Sequence, residues 1–377
     1  MIYYYSLFLL LTVSNFTKYT SVSKKNLKIL NLIVFFITII FTGFRYEIGA
    51  DWNTYISLFN QFKDLGFPSI AIFQSSDPFY ITLNIFSDRL NFSIIQVNFL
   101  ISIIYFSAFY YLIEDQNFKM IALLSSFLFI VLILNMGYTR QALASAFIIL
   151  FYHCFINKKI FLSILFFIFS VLSHKTSLVI YATLLITYII SNKNFFKINY
   201  ITIVTFTIVT TFFLIFFIIY KVDIIRLFDV YIFSVFEKQI PMMSVEQQTA
   251  SPGVILKIVY FFFFIGFFYF FRTKIIFKNY NEKIVIYSSI LIIVFIAPFI
   301  GYFSSLVDRI LVYYYITPVF IVLKIFDLEF FKIKKNQIAA EFLIITFSFI
   351  TLFFWLNFAN HKQYWSKYSN YLIKLIN

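Results

Sequence analysis

Apolar runs close to the thickness of a bilayer recur from one end of this chain to the other. They cover roughly residues 2–17, 29–44, 92–113, 118–135, 140–157, 160–173, 176–190, 198–220, 254–271, 284–301, 310–326 and 338–358. A hydrocarbon core admits only backbone that satisfies its own hydrogen bonds, so runs of this kind predict helices that span. The expected fold is all-α, a polytopic bundle of about twelve spans forming one integral membrane domain over 1–377. Composition agrees: 62% of residues are hydrophobic and 12% charged, against about half and about a quarter in a soluble domain.

A net charge of +14 would point a soluble protein toward nucleic acid. Here the lysines fall in short clusters between apolar runs, which is the positive-inside pattern, and no basic, aromatic-interleaved domain exists to hold a nucleic acid. The lone Cys154 excludes an internal disulfide and a cysteine-rich zinc site, and His153, His174 and His361 are too scattered to suggest a metal cluster. No basic residue precedes the apolar stretch Ile2–Val13, whereas Lys18, Lys24, Lys25 and Lys28 follow it. This argues against a cleaved leader and places the N-terminus outside.

Alternating the spans puts Lys18–Lys28, Lys119, Lys158–Lys159, Lys193–Lys197, Arg272–Lys283 and Lys324–Lys335 inside. Two longer outer segments, 45–91 and 221–253, are expected to carry amphipathic helices. Tyr55, Leu58, Phe59 and Phe62 recur at helical spacing in the first, as do Ile224, Phe228, Tyr231 and Val235 in the second. Pro78–Leu90 is apolar but too short to span.

Arginine does not follow lysine. Arg45, Arg89, Arg140, Arg226 and Arg309 fall outside, and Arg272 alone inside. A guanidinium offers a planar fork suited to phosphate or carboxylate, so the split points to an outer site for an anion. Gly43, Gly49, Gly137 and Gly301 sit at outer helix mouths, where backbones turn or approach closely.

Arg140 and Gln141 open a run of small residues, Ala142, Ala144, Ser145 and Ala146. Such a helix packs in the interior, and its N-terminus favours an anion; the plainer reading is an arginine snorkelling to the headgroups. His174 stands where two short apolar runs meet, at the level of Arg140. It is either a general base for a hydroxyl or a side chain that satisfies a kink. Arg45, Glu47 and Asp51 cluster beside Tyr46, Trp52 and Tyr55, the mixture of rings, carboxylates and a cation that lines sugar sites. An interfacial aromatic belt explains the rings but not the charges. Asp308 and Arg309 precede the tyrosine-rich Leu311–Tyr315, and as helix neighbours they diverge. Charge within the spans is nearly absent, with Lys257, Lys324 and Glu341 near their ends, which argues against proton-coupled transport.

These residues resemble a family pattern. Gly-Phe-Arg-Tyr-Glu-Ile-Gly-Ala-Asp-Trp-Asn-Thr-Tyr at 43–55 is similar to the first motif of EpsG/Wzy-type polysaccharide polymerases, with Gly-Ala-Asp where many members have Gly-Thr-Asp. Arg140-Gln-Ala-Leu-Ala followed by His174 resembles the second motif, and Asp308-Arg309 the third. The resemblance implies a membrane glycosyltransferase that joins undecaprenyl-pyrophosphate-linked repeat units at the outer face of a bacterial cytoplasmic membrane, as O-antigen polymerases do. It implies a lipid-linked donor and acceptor, with a chain-length regulator and a flippase in the same pathway, and neither metal nor cofactor. Arg45, Arg140 and Arg309, with Gln141, Tyr46, Trp52, Tyr55 and Asp308, are then the substrate contacts. His174 is the first choice of base, with Asp51 and Glu47 behind it. A flippase or exporter of the same glycan, or a ligase, remains the alternative class.

Overall fold

The computed structural model describes residues 1–62, 77–114, 116, 118–191, 253–359 and 362–376. Among them the regular structure is helical: α1 (Ile2–Phe16), α2 (Lys24–Gly43), α3 (Trp52–Phe62), α4 (Pro78–Arg89), α5 (Ile94–Ile113), α6 (Lys119–Ser125), a π-helix (Phe127–Gly137), α7 (Thr139–Ile156), α8 (Ile160–Ser173), α9 (Leu178–Ser191), α10 (Val254–Phe271), α11 (Tyr280–Ile296), α12 (Ile300–Leu311), α13 (Thr317–Phe326) and α14 (Lys334–Phe358). The expected span over 198–220 and the outer segment 221–252, with Arg226, lie outside the described residues, as do Lys193–Lys197 and His361.

Among the described residues six helices are long and apolar enough to cross a membrane, or up to eight if each of two bent pairs makes one span. The chain is therefore a multi-pass helical membrane protein, and of the twelve expected runs the described residues give six to eight full-length spans. Ile160–Ser173 and Lys175–Ser191 are apolar yet shorter, and α1 has only 15 residues. The run expected at 118–135 is broken: α6 and the π-helix meet at 69°. Both pieces are buried along their length, so this run lies within the bundle, where neighbours shield the break from lipid.

The small residues of α7 do what their size predicts. Ala142, Ala144 and Ala146 are wholly buried, and α7 packs between α5 and α8. Thr139–Ile156 is the most buried of the candidate spans, at 72%. A helix with no bulky stripe lets two backbones approach it closely, and that fixes the residues at its mouth.

Side chains tie the loops into two groups. At one end Lys18 meets Glu341 at 2.6 Å, Lys278 donates to Asn157 at 2.8 Å and Asn279 to the Ile156 carbonyl at 2.6 Å. These are the lysine-rich connections. At the other end the turns after α2, the π-helix and α8 converge with the start of α4.

The stripe of α3 does not lie open on a surface. Trp52, Tyr55 and Phe59 are buried and the helix packs against α4, so its apolar face meets protein. Its polar residues, Asn53, Asn60 and Gln61, are exposed.

An unforeseen feature closes this end. Residues 364–371 fold back along the loop after α2. Tyr46 N–H donates to the Ser369 carbonyl at 3.0 Å, Tyr371 N–H to the Phe44 carbonyl at 2.8 Å, and Gly49 N–H to the Tyr364 carbonyl at 3.1 Å. The phenol of Tyr368 stacks on Phe41 at 4.2 Å. Gly49 makes the loop possible: its φ is +97°, and a Cβ there would stand 2.6 Å from the Met136 carbonyl oxygen. Gly49→Ala should therefore lower stability by about 1–3 kcal/mol or more. Thermal melting of the detergent-solubilised protein checks this, and an unchanged melt would mean that the loop yields.

Candidate functional site

Asp77 is the centre of the convergent end. It stands directly before Pro78, the usual place for a side-chain cap on a helix with proline in its first turn. Yet its carboxylate makes no cap bond to α4. One oxygen instead meets Arg140 Nη1 at 2.5 Å and the other His174 Nδ1 at 2.8 Å. The Asp77 side chain is 2% exposed, Arg140 27% and His174 12%, so a buried carboxylate holds a guanidinium and an imidazole that are both more exposed than it is. Burial alone would raise the Asp77 carboxyl. The charges and hydrogen bonds of His174 and Arg140 outweigh it and hold Asp77 well below the usual carboxylate range. The stability this contributes is therefore fully present above the ordinary carboxylate pKa and is lost only as pH falls toward the lower folded value.

Local backbone explains both partners. α8 ends at His174, whose extended conformation (φ −163°, ψ 117°) breaks the helix before a short 3-10 turn over Lys175–Ser177. Thr176 and Tyr313 share a hydroxyl hydrogen bond at 2.6 Å that pins this turn to the start of the tyrosine-rich segment. With Nδ1–H donating to Asp77, the neutral imidazole leaves Nε2 with its lone pair as the acceptor. Arg140 is the second residue of α7. Its guanidinium lies 5.8 Å from the ring centre of Tyr55, and its buried Nε has no hydrogen-bond partner, so Asp77 does not exhaust the fork.

Around this triad the structure sorts the other expected residues. Asp51 is half-buried. Burial raises its carboxyl, while the charges of Arg140 and Arg309 pull it down without cancelling the rise, so both arginines act on Asp51 electrostatically. Arg309 is exposed, and Asp308 beside it is buried; the two diverge as helix neighbours should. Asp308, expected as a substrate contact, faces inward, ion-paired with Lys257, and accepts the Tyr138 hydroxyl at 3.2 Å. Gln141 is buried behind Arg140.

Arg45, also expected as a substrate contact, is held by the protein. It is 1% exposed, and its fork is committed to the protein: Nη1 donates to the Asn135 carbonyl at 2.7 Å, and Nη2 to Thr139 Oγ1 at 2.6 Å and Asn98 Oδ1 at 3.2 Å. Only Nε lacks a partner. Burial pushes its guanidinium down to about 10, still charged at neutral pH. A cation on the Asn135 carbonyl, in the last turn of the π-helix, caps that helix, and Thr139 is the neighbour of Arg140. Arg45 thus acts from beneath, on the backbone that presents Arg140.

Trp52 and Tyr55 are buried and offer no open ring face. Tyr46 is half-buried, with Lys374 Nζ 4.0 Å from its ring centre and Tyr371 stacked at 6.3 Å. Glu47 is exposed with a left-handed backbone, φ 55°, and is not drawn into the cluster. Among the described residues no three His, Cys, Asp or Glu side chains gather in a way that could hold a metal ion.

Sequence reasoning missed Asp77, and it read Lys257 only as a charge near the end of a span. The signal for Asp77 was present: an aspartate before a proline that opens an apolar helix. Its usual meaning, a helix cap, hid the longer reach to residues 140 and 174.

In comparisons with known proteins, residues 28–371 match the EpsG family. No curated protein and no solved structure matches the chain.

Proposed function

The chain belongs to the EpsG family, a match over nearly its whole length that makes it a polysaccharide-polymerase-like membrane protein of glycosyltransferase type, and from that premise we propose the following reaction. The substrates are two glycans on undecaprenyl pyrophosphate, met at the outer face of a bacterial cytoplasmic membrane. His174 Nε2 takes the proton of an acceptor sugar hydroxyl, and that oxygen bonds to the anomeric carbon of the donor glycan. The bond from that carbon to the pyrophosphate oxygen breaks, and the electron pair leaves with the lipid pyrophosphate. Arg140 and Arg309 stabilise the charge that develops on the leaving group. Asp77 holds the imidazole in the tautomer that leaves Nε2 free, as a buried carboxylate does in acyl-transfer triads. Asp51, between the two arginines in electrostatic reach, is the second choice of base.

The single observation that carries this reading is the Asp77 bridge. It joins an arginine with unused donors to an imidazole with an available lone pair, at one end of the bundle. General-base action and leaving-group stabilisation within one constellation are what glycosyl transfer from a pyrophosphate requires.

Deleting the gene and running the surface glycan on a gel tests the class. A polymerase defect leaves one repeat unit per anchor and no ladder. A flippase defect leaves no repeat unit outside, and a ligase defect leaves polymer on the carrier lipid. In the complemented strain, Arg140→Lys should shorten the polymer strongly, because a point charge replaces a fork. Normal ladder length at normal expression would remove Arg140 from the pyrophosphate.

A further inference from the structure

Lys257 belongs to no part of the reaction just described, yet it is the most deeply buried lysine near the site. It lies one turn into α10, 1% exposed, and is ion-paired with Asp308 of α12, itself 3% exposed. The second oxygen of Asp308 accepts the hydroxyl of Tyr138 at 3.2 Å, and Lys257 Nζ stands 5.7 Å from the Tyr138 ring centre. Tyr138 is the N-cap of α7; its carbonyl accepts the Ala142 N–H at 2.8 Å, closing the first turn. Asp308 immediately precedes Arg309, and Tyr138 lies two residues before Arg140. One buried carboxylate therefore holds the backbone beside each of the two arginines, on helices far apart in sequence.

We infer that Lys257, Asp308 and Tyr138 form an internal clamp that sets the spacing of Arg140 and Arg309, and so positions the pair for one pyrophosphate group. The inference rests on the proposed role of those arginines. Helix packing alone does not call for such a set, since a buried ion pair replaced by apolar residues is often neutral or stabilising. What the pair supplies is a fixed, charged acceptor for Tyr138: Lys257 neutralises the carboxylate that the tyrosine needs. Lys257 is a positioning residue here, acting through Asp308 on groups that touch substrate.

The test uses full-length protein in detergent and isothermal titration with inorganic pyrophosphate. Tyr138→Phe removes the hydroxyl and leaves the ion pair. The double variant Lys257→Met with Asp308→Asn removes both charges together, so that no lone charge stays buried. Arg140→Lys serves as the benchmark for the site itself. Tyr138→Phe and the double variant should each bind pyrophosphate about ten- to a hundredfold more weakly, with melting temperatures close to that of the parent. Either one binding as tightly as the parent, while Arg140→Lys weakens binding, sinks the clamp and leaves the arginine site standing. If Arg140→Lys also binds like the parent, or the parent does not bind, both readings fall. Should the double variant fail to fold, Tyr138→Phe alone decides.

Discussion

Asp77→Asn should lower the rate of polymer formation about 10²- to 10⁴-fold, the scale of a lost general base, while the protein still folds. The carboxylate accepts from Arg140 and His174 at once. An asparagine offers one acceptor oxygen and one donor nitrogen. With its oxygen kept by the guanidinium, its NH2 faces Nδ1 of the imidazole. Nδ1 must then carry the lone pair, the proton moves to Nε2, and the base is gone without any change of shape. The assay is elongation of lipid-linked repeat units in proteoliposomes, with thermal melting as the control for folding. His174→Ala should show a similar loss, and the double variant should be little worse than either, because the two act as one unit. A parent-like rate for Asp77→Asn would mean that the bridge is only a structural tie.

The second large effect separates two arginines that look alike in sequence. Arg45→Met should cost roughly 3 kcal/mol or more, since the buried Asn135 carbonyl, Thr139 hydroxyl and Asn98 amide oxygen each lose a donor at about 1–3 kcal/mol. For a helical membrane protein this reads as low yield and a markedly reduced melting temperature. Arg140→Met should leave the melt much closer to the parent, because its side chain is partly exposed and it makes a single ion pair, yet it should abolish polymer. If Arg45→Met melts normally and loses only activity, the substrate role first expected of Arg45 returns.

Membrane class and most helix positions were legible because apolar run length is a local property. The same holds for α7: small residues after Gln141 announced an interior helix, and Ala142, Ala144 and Ala146 are buried. Span number was less legible, since composition cannot distinguish a run that crosses from one that bends, as Phe127–Gly137 does after Ser126. The candidate site was legible as an end of the bundle and not as a set of contacts. Arg140 and His174 were named from local breaks in apolar pattern, and a third residue joins them. The inward orientation of Arg45 and Asp308 was not legible: a charged residue at a helix mouth has the same sequence signature whether it faces out, as Arg309 does, or in. Only the partners decide, and Asn98, Thr139 and Lys257 lie far away in the chain.

The backfolded segment 364–371 bears on biogenesis. The Tyr368 hydroxyl and the Phe41 carbonyl that accepts from it are separated by 327 residues, among the longest closures the chain makes, and long-range contacts form last because their loop entropy is met before they are rewarded. The loop carrying Arg45 and Gly49 leaves the ribosome early but acquires its backbone partners only after the later helices have been inserted. Until then Tyr46 and Gly49 lack hydrogen-bond acceptors that they have in the finished fold. Assembly of the loop beside the candidate site is thereby coupled to synthesis of the segment that follows α14, and a nascent chain arrested within α14 would hold Arg140, Asp77 and His174 without the strap that closes that loop.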